Sequence, residues 1–195
     1  MIIIKITSGK PKKKEGEKMA NITKVDYEAI PRQAMSMRTH GKELNTELTN
    51  AYSSIEQMHN SWNGDRYNRL VYQFNEIIPN INDILRIVVT DLPFSLETIA
   101  NNYALADKGS KVAKASKDSP NTIEVLNTLD NEVLKFVTAR VRTIQESVTK
   151  NLEVAKEKMD LVEKEFAKIT WQSEAAEAFK TRFKKLKTEI SRSFE

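Results

Sequence analysis

IPRQAMSMRTHGKELNTELTNAYSSIEQMHNSWNG, residues 30–64, places apolar or small side chains at Ile30, Ala34, Met37, Gly41, Leu44, Leu48, Ala51, Ile55, Met58 and Trp62. The steps alternate four and three without a break, which keeps one face of a single helix apolar throughout. Asp26 suits the N-cap of a turn before this helix, and Pro31 sits near its start, where a missing N–H costs least. Asn60 to Gly64 ends it. Asn63 and Gly64 are turn residues, and Asp65 suits the cap of whatever follows.

Downstream, a second helical seam runs through Leu70, Phe74, Ile77, Ile81, Ile84, Val88, Leu92, Leu96, Ile99 and Tyr103, widened by Val71, Ile78, Leu85 and Val89. So wide a stripe has to be covered on more than one side. Pro79 and Pro93 each remove a helical hydrogen bond, which predicts kinks, or a break at Pro93 with Asp91 as cap. Residues 108–121 contain Gly109, Pro120 and several serines and lysines without a wide apolar stripe, so they read as a linker. A third helix is expected from about Thr122 to Ile169, with Val148, Leu152, Ala155, Met159, Val162, Phe166 and Ile169 on its seam. After Trp171-Gln172-Ser173 a fourth follows, carrying Ala176, Phe179, Phe183, Leu186 and Ile190. Ser173 suits its N-cap, and Glu174 and Glu177 suit the positive end of its dipole. The plan of helix, Trp-x-small turn, helix is thus written twice, around the only two tryptophans in the chain. The expected fold class is all-α: two helix-turn-helix hairpins in tandem, residues 19–107 and 122–195, forming a four-helix bundle of long antiparallel helices.

Composition agrees. Five glycines and five prolines in 195 residues leave few turns, which favours long helices over a sheet protein. The absence of cysteine excludes disulfides and thiolate-bound metals. The formal net charge of +4 lies in residues 1–18, where six lysines face two glutamates; from Met19 onward 25 basic side chains balance 25 acidic ones. A neutral folded part offers no phosphate track, so nucleic acid is not an expected partner. Met1 to Ile6 is too short to span a membrane and lacks a secretory cleavage signature. Lys14-Glu15-Gly16-Glu17-Lys18 back-translates to a purine run like a ribosome-binding site ahead of Met19. Residues 1–18 are therefore expected to be a disordered extension or a mis-called start; an intact mass that includes them in protein from the native gene would refute the second option.

At these residues the chain resembles the W-x-G, or early-secreted-antigen-like, family of type VII secretion systems. Trp62-Asn63-Gly64 between two amphipathic helices is similar to the family's signature turn, and the run from Trp171 to Phe179 is similar to its fuller form, W-x-G-x-A-A-x-x-F, with Ser173 in place of glycine. Tyr103-Ala104-Leu105-Ala106-Asp107 has the form and place of the family's export signal, Tyr-x-x-x-Asp/Glu. The resemblance therefore implies turn residues Trp62, Gly64, Trp171 and Ser173, and an export signal at Tyr103 and Asp107. The second unit departs from the pattern. Only 24 residues follow Trp171, against 41 from Trp62 to Tyr103, and it has no Tyr-x-x-x-Asp of its own. An export signal in this chain would be internal. Independently of family, an indole buries a large apolar surface where two helices meet, and a glycine lets the chain reverse without a Cβ clash.

Linker length bears on architecture. A second helix of about 40 residues is roughly 60 Å long, whereas a linker of about 14 residues spans at most roughly 46–50 Å. An up-down-up-down bundle with both Trp turns at one end is then the easier arrangement within one chain. Antiparallel pairing of hairpins would fall to two chains, unless a break at Pro93 shortens the second helix.

No catalytic constellation is present. His40 and His59 lie on one helix without metal-ligand spacing. Carboxylates from Glu146 to Glu165 interleave with lysines in the manner of solvated helical pairs. No phosphate loop or activated nucleophile occurs. The expectation is a protein that is not an enzyme and takes no cofactor, metal or small-molecule substrate. The resemblance implies a secreted substrate or secretion partner that binds a helical protein or itself and engages a secretion-system ATPase. It would sit in the bacterial cytoplasm before export and reach the medium or cell surface by a signal-peptide-independent route, touching membrane only through the secretion machinery. The alternative is an intracellular adaptor holding the helical leader of a toxin. An amphipathic membrane-surface protein is a third reading, against which the balanced charge argues.

Overall fold

The structure, a computed structural model, describes residues 2–5, 22–129, 135–172, 176–178, 180–181, 183–185 and 188. Helices dominate it. Helix α1, Ile30–Gln57, passes through a short 3-10 turn at Met58–Asn60 into strand β3, Trp62–Asn63. Helix α2, Asp65–Arg86, continues through a π turn at Ile87–Asp91 into α3, Leu92–Lys108. Strand β4, Lys135–Phe136, leads into α4, Thr138–Ala167, which ends at strand β5, Trp171–Gln172. Ahead of α1, strands β1, Ile2–Lys5, and β2, Ile22–Val25, pair antiparallel, so the disorder expected for residues 1–18 does not hold at Ile2–Lys5.

The first seam packs as its spacing demands. Every member from Ile30 to Met58 is buried, and Trp62 is half-buried. Asp26 caps the turn before α1 by accepting from the Ala29 amide at 2.9 Å. Gly41 lies where α1 crosses the π turn; a Cβ there would stand 2.9 Å from Val88 Cγ1 and 3.3 Å from the Val88 carbonyl, so the close approach needs glycine.

The expected break at Pro93 is absent. Pro93 has no N–H to give, and the chain widens one turn ahead of it: the Leu92 amide donates to the Ile87 carbonyl five residues back, and the helix runs on. Asp91 is not a cap but pairs with Arg86. At α2 the N-cap is Gly64, with Asp65 already in the first turn.

Two larger expectations are corrected. The third helix starts at Thr138, not near Thr122, and Trp62 and Trp171 lie at opposite ends of the bundle. Helix α4 runs antiparallel to α1 along its length. The Val137 amide donates to the Ser61 carbonyl at 2.8 Å, Lys158 pairs with Glu43 at 3.2 Å, and Gln33 Nε2 donates to the Lys168 carbonyl at 3.0 Å. Strand β4 pairs with β3 at one end (Trp62 opposite Phe136), and β5 with β2 at the other (Val25 opposite Trp171). The reason is reach. The chain is free of helix from Gly109 to Leu129 and α4 begins only at Thr138, a connection longer than the 14-residue estimate, so it can travel the full length of the α2–α3 helix first.

Candidate functional site

The segment read as a linker, residues 108–121, and the first residues of the expected third helix, to Leu129, form a docked strap. Its backbone is held by side chains of α3, α1 and α2 in turn. Asn101 Nδ2 donates to the Ala113 carbonyl at 2.9 Å, while Asn101 Oδ1 accepts from the Val112 and Ala113 amides. The Ser116 amide donates to Glu97 and its carbonyl accepts from Arg38. Asn45 grips the amide and carbonyl of Asn121, Asn82 those of Ile123, Asn75 those of Leu126, and Asn68 those of Leu129, all at 2.8–2.9 Å.

The geometry explains the spacing. Asn68, Asn75 and Asn82 are seven apart on α2, a rise of about 10.5 Å per step. Their targets are three apart on a chain that covers about 9–10 Å in three extended residues. The two repeats match, and the strap therefore runs antiparallel to α2 with Ile123 and Leu126 buried beneath it. Each asparagine offers one donor and one acceptor to the two backbone groups of a single residue, as a neighbouring strand would.

Midway, Arg38 and Glu97 form a buried two-pronged ion pair, both contacts at 2.9 Å. The Glu97 carboxylate raises the Arg38 pKa, chiefly through these hydrogen bonds. Asp118 on the strap pairs with Lys42, whose hydrogen bond holds its carboxyl below the usual carboxylate range.

The first Trp turn is built by packing edge-on rings. Trp62 meets Tyr67 at 6.1 Å and Phe136 at 5.8 Å between centroids. Gly64 takes φ +130° and ψ 178°, a conformation that a side chain disfavours, and its carbonyl accepts from Asn68 N at 3.1 Å. Burial pushes the Tyr67 phenol pKa up, with the Glu56 charge adding to the effect. An apolar groove of about 1160 Å³ opens here, between Trp62, Leu70 and Phe74 on one side and Val141 and Val148 of α4 on the other.

At the opposite end, Trp171 is buried beside Val25, and the Asp26 amide donates to the Thr170 carbonyl at 3.0 Å. Ser173 and Phe179 lie outside the described residues. Tyr103 is half-buried against the core on α3, one turn before Asp107. Asp107 does not hang free: the Tyr27 hydroxyl donates to its carboxylate, and that bond, more than burial, raises the Tyr27 pKa. Next to it Lys108 pairs with Glu28 and lies 5.2 Å from the Tyr27 ring centre. Through Tyr27 and Val25 the Tyr103–Asp107 turn and Trp171 share one end of the bundle. Trp62 and Gly64 do not join them.

His40 bonds Glu43 at 3.2 Å, and His59 bonds the Glu56 carbonyl within its own helical turn. No group of side chains able to hold a metal occurs among the described residues, and no described helix is long and apolar enough to cross a membrane. Sequence reasoning missed the asparagine ladder, although the seven-residue spacing of Asn68, Asn75 and Asn82 was its visible signal.

Residues 22–108 match the family model WXG100, proteins of 100 residues with WXG. No curated protein and no solved structure matches the chain.

Proposed function

We propose, from the premise that residues 22–108 belong to the WXG100 family, that this chain is a secreted substrate or secretion partner of a type VII secretion system. Association with such a system is what family membership itself suggests. The reading adds that the chain acts by helix-to-helix binding and is a tandem of two hairpins, with the second starting at α4 and turning at Trp171. Its export signal would be Tyr103 and Asp107, and its turn residues Trp62, Gly64, Trp171 and Ser173. A secretion-system ATPase would engage it.

The observation that carries the reading is the position of Tyr103-x-x-x-Asp107. It lies on the last turns of the WXG100 unit, at the end of the bundle where Trp171 also packs. Two side chains one helical turn apart share a face, which suits recognition by a single partner.

Cell fractionation with tagged protein tests it. Wild type is expected in the medium. Tyr103→Ala and Asp107→Ala should each cut export by about tenfold, the cost of losing roughly 1.4 kcal/mol of recognition, while thermal melts remain cooperative. Because Asp107 also holds Tyr27, a Tyr27→Phe control removes that bond without touching the motif and should still be exported. Wild type confined to the cytoplasm beside an active secretion system would defeat the export reading and leave the intracellular adaptor in its place.

A further inference from the structure

The strap is held in two different ways along its length. Upstream, its own side chains take part. The Asp118 carboxylate pairs with Lys42 and accepts from the Ser116 hydroxyl at 3.3 Å, and the Lys117 ammonium lies 4.7 Å from the centre of the Phe94 ring. Downstream, from Asn121 to Leu129, the asparagines bond backbone amides and carbonyls alone. Ile123 and Leu126 are buried there and Leu129 is half-buried. Thr122, Glu124, Val125, Asn127 and Thr128 are exposed, and no hydrogen bond or ion pair engages their side chains among the described residues.

The receiving face is written into α2 with a matching period. Asn68, Val71, Asn75, Ile78, Asn82 and Leu85 follow one another in steps of three and four, so one face of the helix carries asparagine and an aliphatic residue in turn. Val71, Ile78 and Leu85 are buried in the same cluster as Ile123 and Leu126.

Such a face asks little of its occupant. Three residues must span the roughly 10.5 Å between successive asparagines, which extended backbone does and a helix does not. Every third side chain must be apolar. Main-chain bonds then supply affinity and the apolar positions supply selection, as when a peptide is read as an added strand. Residues 121–129 meet these demands, and nothing in them beyond Ile123, Leu126 and Leu129 is used. They can also leave without unwinding a helix, because the chain is helix-free from Gly109 to Leu129.

We propose that the asparagine face of α2 is a binding site for an extended segment of a partner protein with an apolar residue at every third position, and that residues 121–129 are its resident competitor. The site is separate from the Tyr103–Asp107 turn and from the groove at Trp62, and it does not rest on the secretion reading. Tethered at both ends, the strap competes at an effective concentration of about 1 mM. A free segment that binds the empty face at about 10 µM therefore meets an apparent Kd about 100-fold weaker while the strap is docked.

The probe is a fluorescent peptide of sequence PNTIEVLNTL, residues 120–129. Full-length Ile123→Asp/Leu126→Asp frees the face and keeps its asparagines. It should bind the peptide at about 10 µM by anisotropy, and wild type about 100-fold more weakly. Methylating the peptide's Leu126 amide removes the donor to Asn75 and should weaken binding about tenfold. Methylating its Val125 amide, which no α2 side chain takes among the described residues, should change binding by less than about threefold. A second peptide keeps the three apolar residues and exchanges Glu124, Val125, Asn127 and Thr128 for other polar residues; it should bind within the same margin.

One readout needs no variant and stands even if the double substitution perturbs folding. Each displaced strap exposes the Leu126 amide of the wild-type chain. Unlabelled peptide at ten times its Kd for the empty face should speed hydrogen exchange there about tenfold. Exchange indifferent to peptide, or equal weakening by the two methylations, would overturn the proposal. So would loss of binding in the second peptide, which would make the face specific for its own strap. A wild-type dimer that Ile123→Asp/Leu126→Asp abolishes in sedimentation would also overturn it, since the occupant would then be the strap of a second copy. None of these outcomes depends on export.

Discussion

Glu97→Ala should destabilise the fold by about 3–5 kcal/mol, the largest loss expected from any single side chain in the strap-binding layer. Glu97 and Arg38 are 5% and 9% exposed. Removing the carboxylate leaves a guanidinium that cannot shed its proton inside the protein, and it strands the Ser116 amide as well. Urea unfolding measures the loss. The double variant Arg38→Met/Glu97→Leu separates cause from context. With both charges gone no buried guanidinium is left with only the more distant Asp118, 3.9 Å away, as its counter-charge, and most of the global stability should return. The Ser116 backbone would then lack both Glu97 and Arg38, so the strap would stay loosened at that point. A Glu97→Ala protein within about 1 kcal/mol of wild type would mean that water reaches Arg38 and that the pair is not a buried one.

Replacing Asn68, Asn75 and Asn82 together with alanine should release the strap while leaving the helices formed. Six hydrogen bonds disappear, each worth roughly 0.5–1 kcal/mol net at a partly wet site, for a total of about 3–6 kcal/mol. The loss falls on one segment because the three residues project from α2 toward a chain whose amides and carbonyls at Ile123, Leu126 and Leu129 they bond directly. Hydrogen exchange reads it directly. The amides of Ile123, Leu126 and Leu129 should exchange about 10²–10⁴ times faster, with far-UV helicity retained. Unchanged exchange at those amides would show that burial of Ile123 and Leu126 holds the strap and that the asparagines merely accompany it.

These two predictions concern the part of the molecule that was least readable in advance. Ile123, Leu126 and Leu129 are three apart, a spacing that serves a helix face and a three-residue extended repeat alike. Leucine and glutamate suit a helix locally, which fits a third helix near Thr122, although Thr122, Ile123, Val125 and Thr128 are β-branched and suit it less. An isolated extended chain would leave its backbone groups to water. The asparagines of α2 remove that penalty, and the preference of residues 122–129 is overridden by partners fifty or so positions earlier in the sequence. Pro93 is a milder instance. Proline forbids a regular helical bond, but the π turn that absorbs the defect depends on α1 packing across it at Gly41.

The Trp turns divide in the same way. That Trp62 and Gly64 form a turn follows from local chemistry, since an indole wants cover and a positive φ favours glycine. That Trp62 shares a groove with α4 while Trp171 shares an end with Tyr103 and Asp107 depends on how far the strap travels.

By itself the sequence determined α1, the α2–α3 seam, the buried face of α4 from Val148 on and the turn at Trp62, because helical period, proline and glycine act over a few residues. Only the tertiary structure decided the direction of α4, the helix-free path of residues 109–129 and the open groove at Trp62. Those outcomes rest on side chains of one element satisfying the backbone of another far away in the chain, and no local pattern records which partner will be there.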